Sequence, residues 1–430
     1  MNGTGEASLD GGPLVRATTG TPARRLGFVD RRLRAKVLEN LAAWREGHLT
    51  LLLPDGHRLE AGPRDCVPRG TLSIHHEGFF RKVALGGRMG LGDAYVDGDW
   101  SADDLAAVLE LGVRNRSAAR LPWLARLRAR FGERRPDNDR PGSRRHIEAH
   151  YDLGNDFFAL WLDPSMTYSA AMFAAPGEDL ESAQLRKLET LARKAGVRAG
   201  ERVLEIGCGW GSFAIHAAKT RGCHVTALTL SEAQHRVATE RVRAAGVADL
   251  VEVRLQDWRD TTGSFDRIVS IEMFEAVGRR WWSPWFQALD RLLAPGGVVA
   301  FQAICHPDRG FAAYARHRDW IEKRIFPGSL LGCLGGFTRV LARDTALRIH
   351  HVEDVGLDYA ETLRRWRERF LGRIDAVKAL GFDDRFVRTW EYYLAVCEGA
   401  FRARHLSDLQ IVLAREGDAR LPAPDRSPCP

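Results

Sequence analysis

Three glycines at alternate positions, Gly207, Gly209 and Gly211, break the run "VLEIGCGWGSF", with an acid, Glu205, just ahead of them. Glycine lacks a Cβ, so such a turn lets the backbone come close to a bulky ligand. A P-loop needs GxxxxGK[ST], and no lysine follows these glycines. A dinucleotide turn spaces its glycines GxGxxG, whereas here the spacing is GxGxG and Trp210 fills an intervening position. S-adenosylmethionine is the third reading. It asks for an acid and a glycine turn after a first strand, and for polar and flat groups after a third to hold adenine. The "QDW" of Gln256, Asp257 and Trp258 suits the latter. The second strand commonly ends in an acid for the ribose hydroxyls. Here it ends "ALTLSEAQ", which leaves Thr229 and Gln234 in that place.

These residues sit where strands stop. "RVLEIGC", "HVTALTL", "VEVRLQDW", "FDRIVSIEM" and "GVVAFQAI" read as buried strands between helical segments such as "WGSFAIHAAKTRG" and "SEAQHRVATERVRAAG", the second opening on a serine cap. Alternation of this kind predicts an α/β domain, a parallel sheet covered by helices on both faces, over residues 147–416. Ligands in such sheets lie beyond the carboxyl ends of the strands. That rule gathers Gly207–Gly211, Thr229–Gln234, Gln256–Trp258, Glu272–Glu275 and Gln302–Ile304 around one crevice. Residues 29–113 read as a small α+β domain. It holds a charged helix, a hairpin about Asp55-Gly56, and a helix in "SADDLAAVLELGV" that starts at a serine cap. Residues 1–28 and 417–430 are expected to be tails, and 114–146 a basic linker.

A length of 430 residues allows two or three domains, and 45% hydrophobic with 28% charged residues is the balance of a soluble globular protein. No apolar run reaches the roughly 18 residues of a membrane span, and the first residues lack the apolar core of a signal peptide. The seven cysteines show no CxxC or zinc-type spacing, so reduced cytoplasmic thiols and no metal site are expected. The net charge of +7 is unevenly spread: eleven arginines fall between Arg114 and Arg145. Interleaved with Trp123, Leu127 and Phe131, they suit the phosphates of a nucleic acid or of a lipid surface, or else form a solvated linker.

Longer motifs narrow the field. "HYDLGNDFFALWLDPSMTYSAAMF", "LEIGCGWGSFAIHAA", "ALTLSEAQ", "QDWRD", "FDRIVSIEMFEAVG", "IEKRIFPG" and "GAFRARHLSDLQIVLAR" follow one another in this order. From about residue 30 to 416 the chain resembles the cyclopropane fatty acid synthases, which include the mycolic acid methyltransferases. The resemblance implies a class I methyltransferase domain, Rossmann-like with a mostly parallel seven-stranded sheet, behind an N-terminal domain of lipid-carrier type. It implies S-adenosylmethionine as cofactor, an unsaturated acyl chain of a membrane phospholipid as substrate, and a cyclopropane as product. Tyr168, Ser169, Glu205, Gly207 and Gly209 would contact the cofactor. Thr229, Leu230 and Gln234 would hold its ribose side, and Gln256, Asp257 and Trp258 its adenine. The basic linker would then rest on anionic headgroups at the inner face of the cell membrane, or serve a homodimer contact. Nucleic acid is not expected as a partner, since the NPPY-type and paired-cysteine motifs of nucleic-acid methyltransferases are missing.

An alkene is a weak nucleophile, so the methyl donor must lie in line with the double bond in a dry slot. Attack leaves a carbocation, which aromatic faces stabilise without reacting; Tyr168, Phe173, Phe274, Trp281 and Trp282 are candidates. A base then removes a proton, and its position decides the product. In the synthases this chain resembles, the base is bicarbonate held by a cysteine, a glutamate, a histidine, an isoleucine main-chain group and a tyrosine. Glu275, Ile304 and Tyr359 match three of these. Ala170 stands where the cysteine of "YSCA" belongs, and Gln302 where the histidine belongs. Either bicarbonate is still held through Gln302, Tyr359 and backbone amides, or a protein carboxylate, Glu272, takes its place. The altered pocket makes a methyl-branched or methylene-bearing unsaturated chain the alternative to the ring. A methyltransferase of a soluble small molecule and a non-catalytic lipid-binding subunit are the rival readings.

Overall fold

The hairpin at Asp55-Gly56 is present in the computed structural model: Gly56 takes φ +79° and Leu53 N–H donates to His57 O at 2.9 Å. It joins β1 (His48–Leu52) to β2 (Arg58–Ala61); β3 (Arg69–Ile74) runs parallel to β1, and β4 (Trp100–Ala102) antiparallel to β3. The sheet order is β2-β1-β3-β4, and the helices Phe28–Ala42, Gly78–Val96 and Leu105–Arg114 complete this first unit. The expected serine cap is not the one used. Ser101 pairs with Ser73 inside β4, so the last helix starts later, at Asp104, whose side chain accepts from Ala107 N–H at 3.1 Å.

The chain divides into two compact units, residues 1–127 and 128–430. The structure describes residues 27–117, 135–151, 153–417 and 421. Most of the expected basic linker, with Trp123, Leu127 and Phe131, and nearly all of both expected tails lie outside the described residues. The second unit takes in more than the expected 147–416. Asn138 donates to Ala276 O and Gly328 O, both at 2.9 Å, and Arg135 donates to His317 O, which ties this stretch to the second unit.

The second unit is built on β5 (Arg202–Ile206), β6 (His224–Thr229), β7 (Val251–Leu255), β8 (Phe265–Ile271), β9 (Leu293–Cys305), β10 (Leu347–Asp354) and β11 (Ser407–Arg415). Their order is β10-β11-β9-β8-β5-β6-β7. β5, β6, β7, β8 and β9 pair in parallel, while β11 enters antiparallel between β9 and β10. The expected α/β sheet is therefore present with seven strands. The glycine turn leads from β5 into the helix Ser212–Arg221, and the cap expected at Ser231 is made, its Oγ accepting from Gln234 N–H. No helix among the described residues is long and apolar enough to cross a membrane.

Candidate active site

β11 runs against the parallel strands, so its first residues lie at their carboxyl ends. Register places Gln302 beside both Ile271 and Gln410, and Ile304 beside Asp408. The turn after β8 carries Glu272 and Glu275, with Phe274 between them as an anchor. The Phe274 ring is buried among Trp282, Trp285, Phe286, Phe301 and Phe337. Aromatic pairs of this kind contribute about 0.5–1.5 kcal/mol each beyond area burial. The same packing removes Phe274 and Trp282 from the candidate cation-stabilising faces. Trp281 donates from its indole to Asp137 and stacks under Arg259, and Phe173 lies under Arg365.

Glu272 organises the centre. Its Oε1 accepts from Ala170 N–H at 2.7 Å and from Gln302 Nε2 at 2.8 Å, and its Oε2 accepts from the Tyr359 hydroxyl at 2.7 Å. Its backbone sits at φ +47°, a left-handed conformation that strains a side-chain-bearing residue by about 1–3 kcal/mol. Hydrogen bonds to a charged group contribute roughly 1.5–3 kcal/mol each, so those holding the carboxylate outweigh the strain. Gln302 is saturated: Nε2 also donates to Asp408 Oδ2 at 2.7 Å, and Oε1 accepts from Gln410 Nε2 at 2.9 Å. Ile304 N–H, expected to face an anion, already donates to Glu275 Oε1 at 2.5 Å. Ala170 N–H, Tyr359 and Ile304 thus bond to the chain's own carboxylates, and these residues do not fit bicarbonate.

Burial sets the charges here. It pushes the Glu275 carboxyl up to about 8, with neighbouring Glu272 adding to the rise, and likewise pushes Glu205 up to about 8. Glu272 is raised by burial while its donors and Lys187 pull it back. Lys187, fully buried on the helix Leu180–Ala195, is lowered by burial to about 8 among Glu272, Asp408, Asp163 and Glu205. Its ammonium donates to Ser169 Oγ at 2.7 Å. Asp408, Gln410 and Lys187 were not among the residues singled out in the sequence. The signal existed: Asp408 and Gln410 are the polar pair at alternate positions of an apolar strand, and Gln184 and Lys187 interrupt the apolar stripe of their helix.

The residues expected to hold the cofactor also converge on these strand ends. Gly207, Gly209 and Gly211 have φ of +85°, +54° and +84°. A Cβ on Gly207 would stand 2.6 Å from Met273 Cγ, so only glycine fits against the Glu272 turn; beside Gly209 the space is open, as a cradle requires. One oxygen of buried Glu205 has no hydrogen-bond partner among the described residues. Thr229 bonds Gln234 at 2.9 Å, and Gln256 N–H donates to Thr229 O, which brings the second and third strand ends together; Leu230 is half-buried beside them. An open cradle, an unpartnered acid and these polar ends fit S-adenosylmethionine. Asp257 departs from expectation. Both its oxygens are bonded to the Arg259 guanidinium, at 2.8 and 2.9 Å, which leaves Gln256 and the Trp258 ring as the freer groups for adenine. Tyr168 donates to or accepts from Tyr393 at 2.8 Å, and its ring packs among Phe158, Trp161 and Trp366.

Residues 139–411 match the family model described as mycolic acid cyclopropane synthetase. The tuberculostearic acid methyltransferase UfaA1 of Mycobacterium tuberculosis is 43% identical over 382 residues, 86% of this chain and 89% of its own length. A cyclopropane-fatty-acyl-phospholipid synthase of Escherichia coli is 37% identical over 352 residues, covering 80% of this chain and 87% of that protein. Among solved structures, mycolic acid cyclopropane synthase CmaA1 complexed with SAH and CTAB matches with a TM-score of 0.58 at 28% identity, over 65% of this chain and 98% of that one. The cyclopropane synthase MmaA2 from Mycobacterium tuberculosis matches with a TM-score of 0.59, also at 28% identity, over 63% and 98%. The expected class I methyltransferase fold is borne out.

Proposed function

Since this chain belongs to the mycolic acid cyclopropane synthetase family, we propose that it methylates a double bond in an unsaturated acyl chain of a membrane phospholipid. It is an S-adenosylmethionine-dependent methyltransferase of the cyclopropane synthase type. The cofactor, when bound, supplies an electrophilic methyl group. Gly207, Gly209 and Glu205 hold its methionine end, with Tyr168 and Ser169 alongside; Thr229, Leu230 and Gln234 hold the ribose side, and Gln256 and Trp258 the adenine. The names of the relatives, a tuberculostearic acid methyltransferase and a cyclopropane-fatty-acyl-phospholipid synthase, both support a fatty acyl substrate.

One observation carries the rest: the Glu272 carboxylate accepts from Ala170 N–H, Gln302 and Tyr359. Glu272 therefore serves as the base, and bicarbonate is not used. The half-buried ring of Tyr168 stabilises the acyl cation until its proton is taken. A base tied to the backbone and fixed by three donors stands elsewhere than a small free ion, and base position selects which proton leaves. The product is then a methyl-branched or methylene-bearing unsaturated chain. The arginines of 114–145 other than Arg135, which is bonded within the second unit, hold the enzyme against anionic headgroups, each contributing about 1 kcal/mol. Expression in a host without its own synthase, with mass spectrometry and proton NMR of the membrane fatty acids, tests this. A one-carbon gain with olefinic or exocyclic methylene protons is expected. Upfield ring protons would overturn the product, and no gain would overturn the substrate.

A further inference from the structure

Glu272 does not stand alone. The Gln302 amide nitrogen donates to Glu272 Oε1 and to Asp408 Oδ2 together, at 2.8 and 2.7 Å, and the two carboxyls are within hydrogen-bond reach of each other. Their donors are unequally shared. Glu272 accepts from Ala170 N–H, Gln302 and the Tyr359 hydroxyl, whereas among the described residues the Asp408 side chain accepts from Gln302 alone, and its Oδ1 is buried with no hydrogen-bond partner there. Two ionised carboxylates this close in a dry interior repel strongly. A proton on Asp408 removes the repulsion and turns the acid into a donor toward Glu272.

The surrounding groups enforce this arrangement. Gln410 Nε2 donates to Gln302 Oε1, which turns the Gln302 NH₂ toward the carboxyls, and Lys194 Nζ holds Gln410 Oε1 at 2.6 Å. Facing Glu272 are Lys187 from the helix Leu180–Ala195, Tyr359 from the helix Gly356–Leu371, Asp408 from β11 and Glu275 from the turn after β8. Glu205 and Asp163 face Lys187 in turn. Lys187 also bonds Ser169, whose neighbour Ala170 donates to Glu272. One buried cation, Lys187, thus faces Asp408 as well as Glu272.

We propose that Glu272 and Asp408 act as one carboxyl pair holding a single proton, seated on Asp408 at rest, with Asp408, Gln410 and Lys187 as positioning residues that keep Glu272 ready to take the substrate's proton. The inference rests on Glu272 being the base. In that step a C–H bond of the acyl cation breaks, its electron pair becomes the new C=C bond, and the proton passes to a Glu272 oxygen. The pair then holds two protons and releases one to solvent.

Infrared spectra of the full chain without substrate report protonated carboxyls through their C=O stretch. At pH 7 part of the wild-type band is expected to vanish in D408N; an undiminished band would overturn the proposal. Turnover on vesicles of unsaturated phospholipid gives the second readout. Loss of a facing cation or of a donated hydrogen bond disfavours the carboxylate, so K187M and D408L should move the acid limb of kcat upward by about one pH unit or more. D408N, whose amide donates in place of the acid proton, should move it less. A fall in kcat with the limb unmoved in K187M and D408L would mean a structural role only and would overturn the proposal. E272Q separates the two readings. Undiminished turnover there overturns the base assignment, whereas lost turnover with unmoved limbs and an unchanged band overturns the carboxyl pair alone.

Discussion

Replacing Glu272 by glutamine is the sharpest perturbation available, because the side chain keeps its shape and loses only its basicity. Oε1 of the glutamine still accepts from Ala170 N–H and Gln302 Nε2, and its NH₂ meets the Tyr359 oxygen, which turns to accept. The Tyr359 O–H loses its acceptor, which offsets the removal of a buried charge, so the melting temperature should change little. The activity should not hold. A positioned base contributes about 10²–10⁴ in rate, or roughly 2.7–5.5 kcal/mol at 1.36 kcal/mol per decade. The assay is release of S-adenosylhomocysteine on vesicles of an unsaturated phospholipid, in bicarbonate-free buffer and again with bicarbonate added. Wild type should turn over equally in both, and E272Q should lose 10²–10⁴-fold in both. An E272Q enzyme restored by bicarbonate, or one keeping more than about a tenth of wild-type kcat, would refute the reasoning.

Glu275 gives a pH prediction. Its carboxyl is pushed up to about 8 in the fold, against an ordinary value of 4.5. Below 4.5 both folded and unfolded states carry the proton; as pH rises toward 8 only the unfolded state releases it, so stability falls with pH across that window. E275Q should therefore raise the melting temperature at pH 8 and leave it nearly unchanged at pH 5, as read by calorimetry. D104A should cost the first unit about 1 kcal/mol in urea denaturation through loss of a helix cap, while S101A costs little. Phe337→Ala should destabilise by about 3–5 kcal/mol and lower kcat as well, since the ring it removes supports Phe274 between the two glutamates.

Much of this site could be read from residue types, and the unread part has a common cause. Strand ends follow from apolar runs and glycine turns, which is why Gly207, Thr229, Gln256, Glu272 and Gln302 could be placed at or near the ends of their strands. Ser231 could be read as a cap because nothing competes for it. Ser101 could not, because pairing across to Ser73 takes it into a strand, and pairing is not written locally. The same limit hid Asp408: its polarity is visible in "SDLQIVLAR", but its partner is fixed only by β9–β11 register. Aromatic residues gave the weakest guidance. Phe274 and Tyr168 share ring chemistry, and only packing tells that one props a turn while the other joins the aromatic group around Trp161 and Trp366. Asp257 shows a related limit, since Arg259, two residues on, curls back to bond both its oxygens.

The position of β11 has a consequence for how the molecule comes into being. It is the last strand of the sheet in chain order, yet it pairs on both sides, with β9 and with β10. A nascent chain emerging at about 5–20 residues per second can close β5 through β9 and bury most of the Phe274 cluster while residues 407–415 are still unmade. Until they arrive, β9 exposes an open edge, and Gln302 lacks both Asp408 and Gln410. Partly synthesised chains would therefore fold enough to bind cofactor without having a competent base, and they would be the species most prone to edge-to-edge association. Chemistry on a reactive methyl donor is thereby withheld until residues 407–415 have taken their place between β9 and β10.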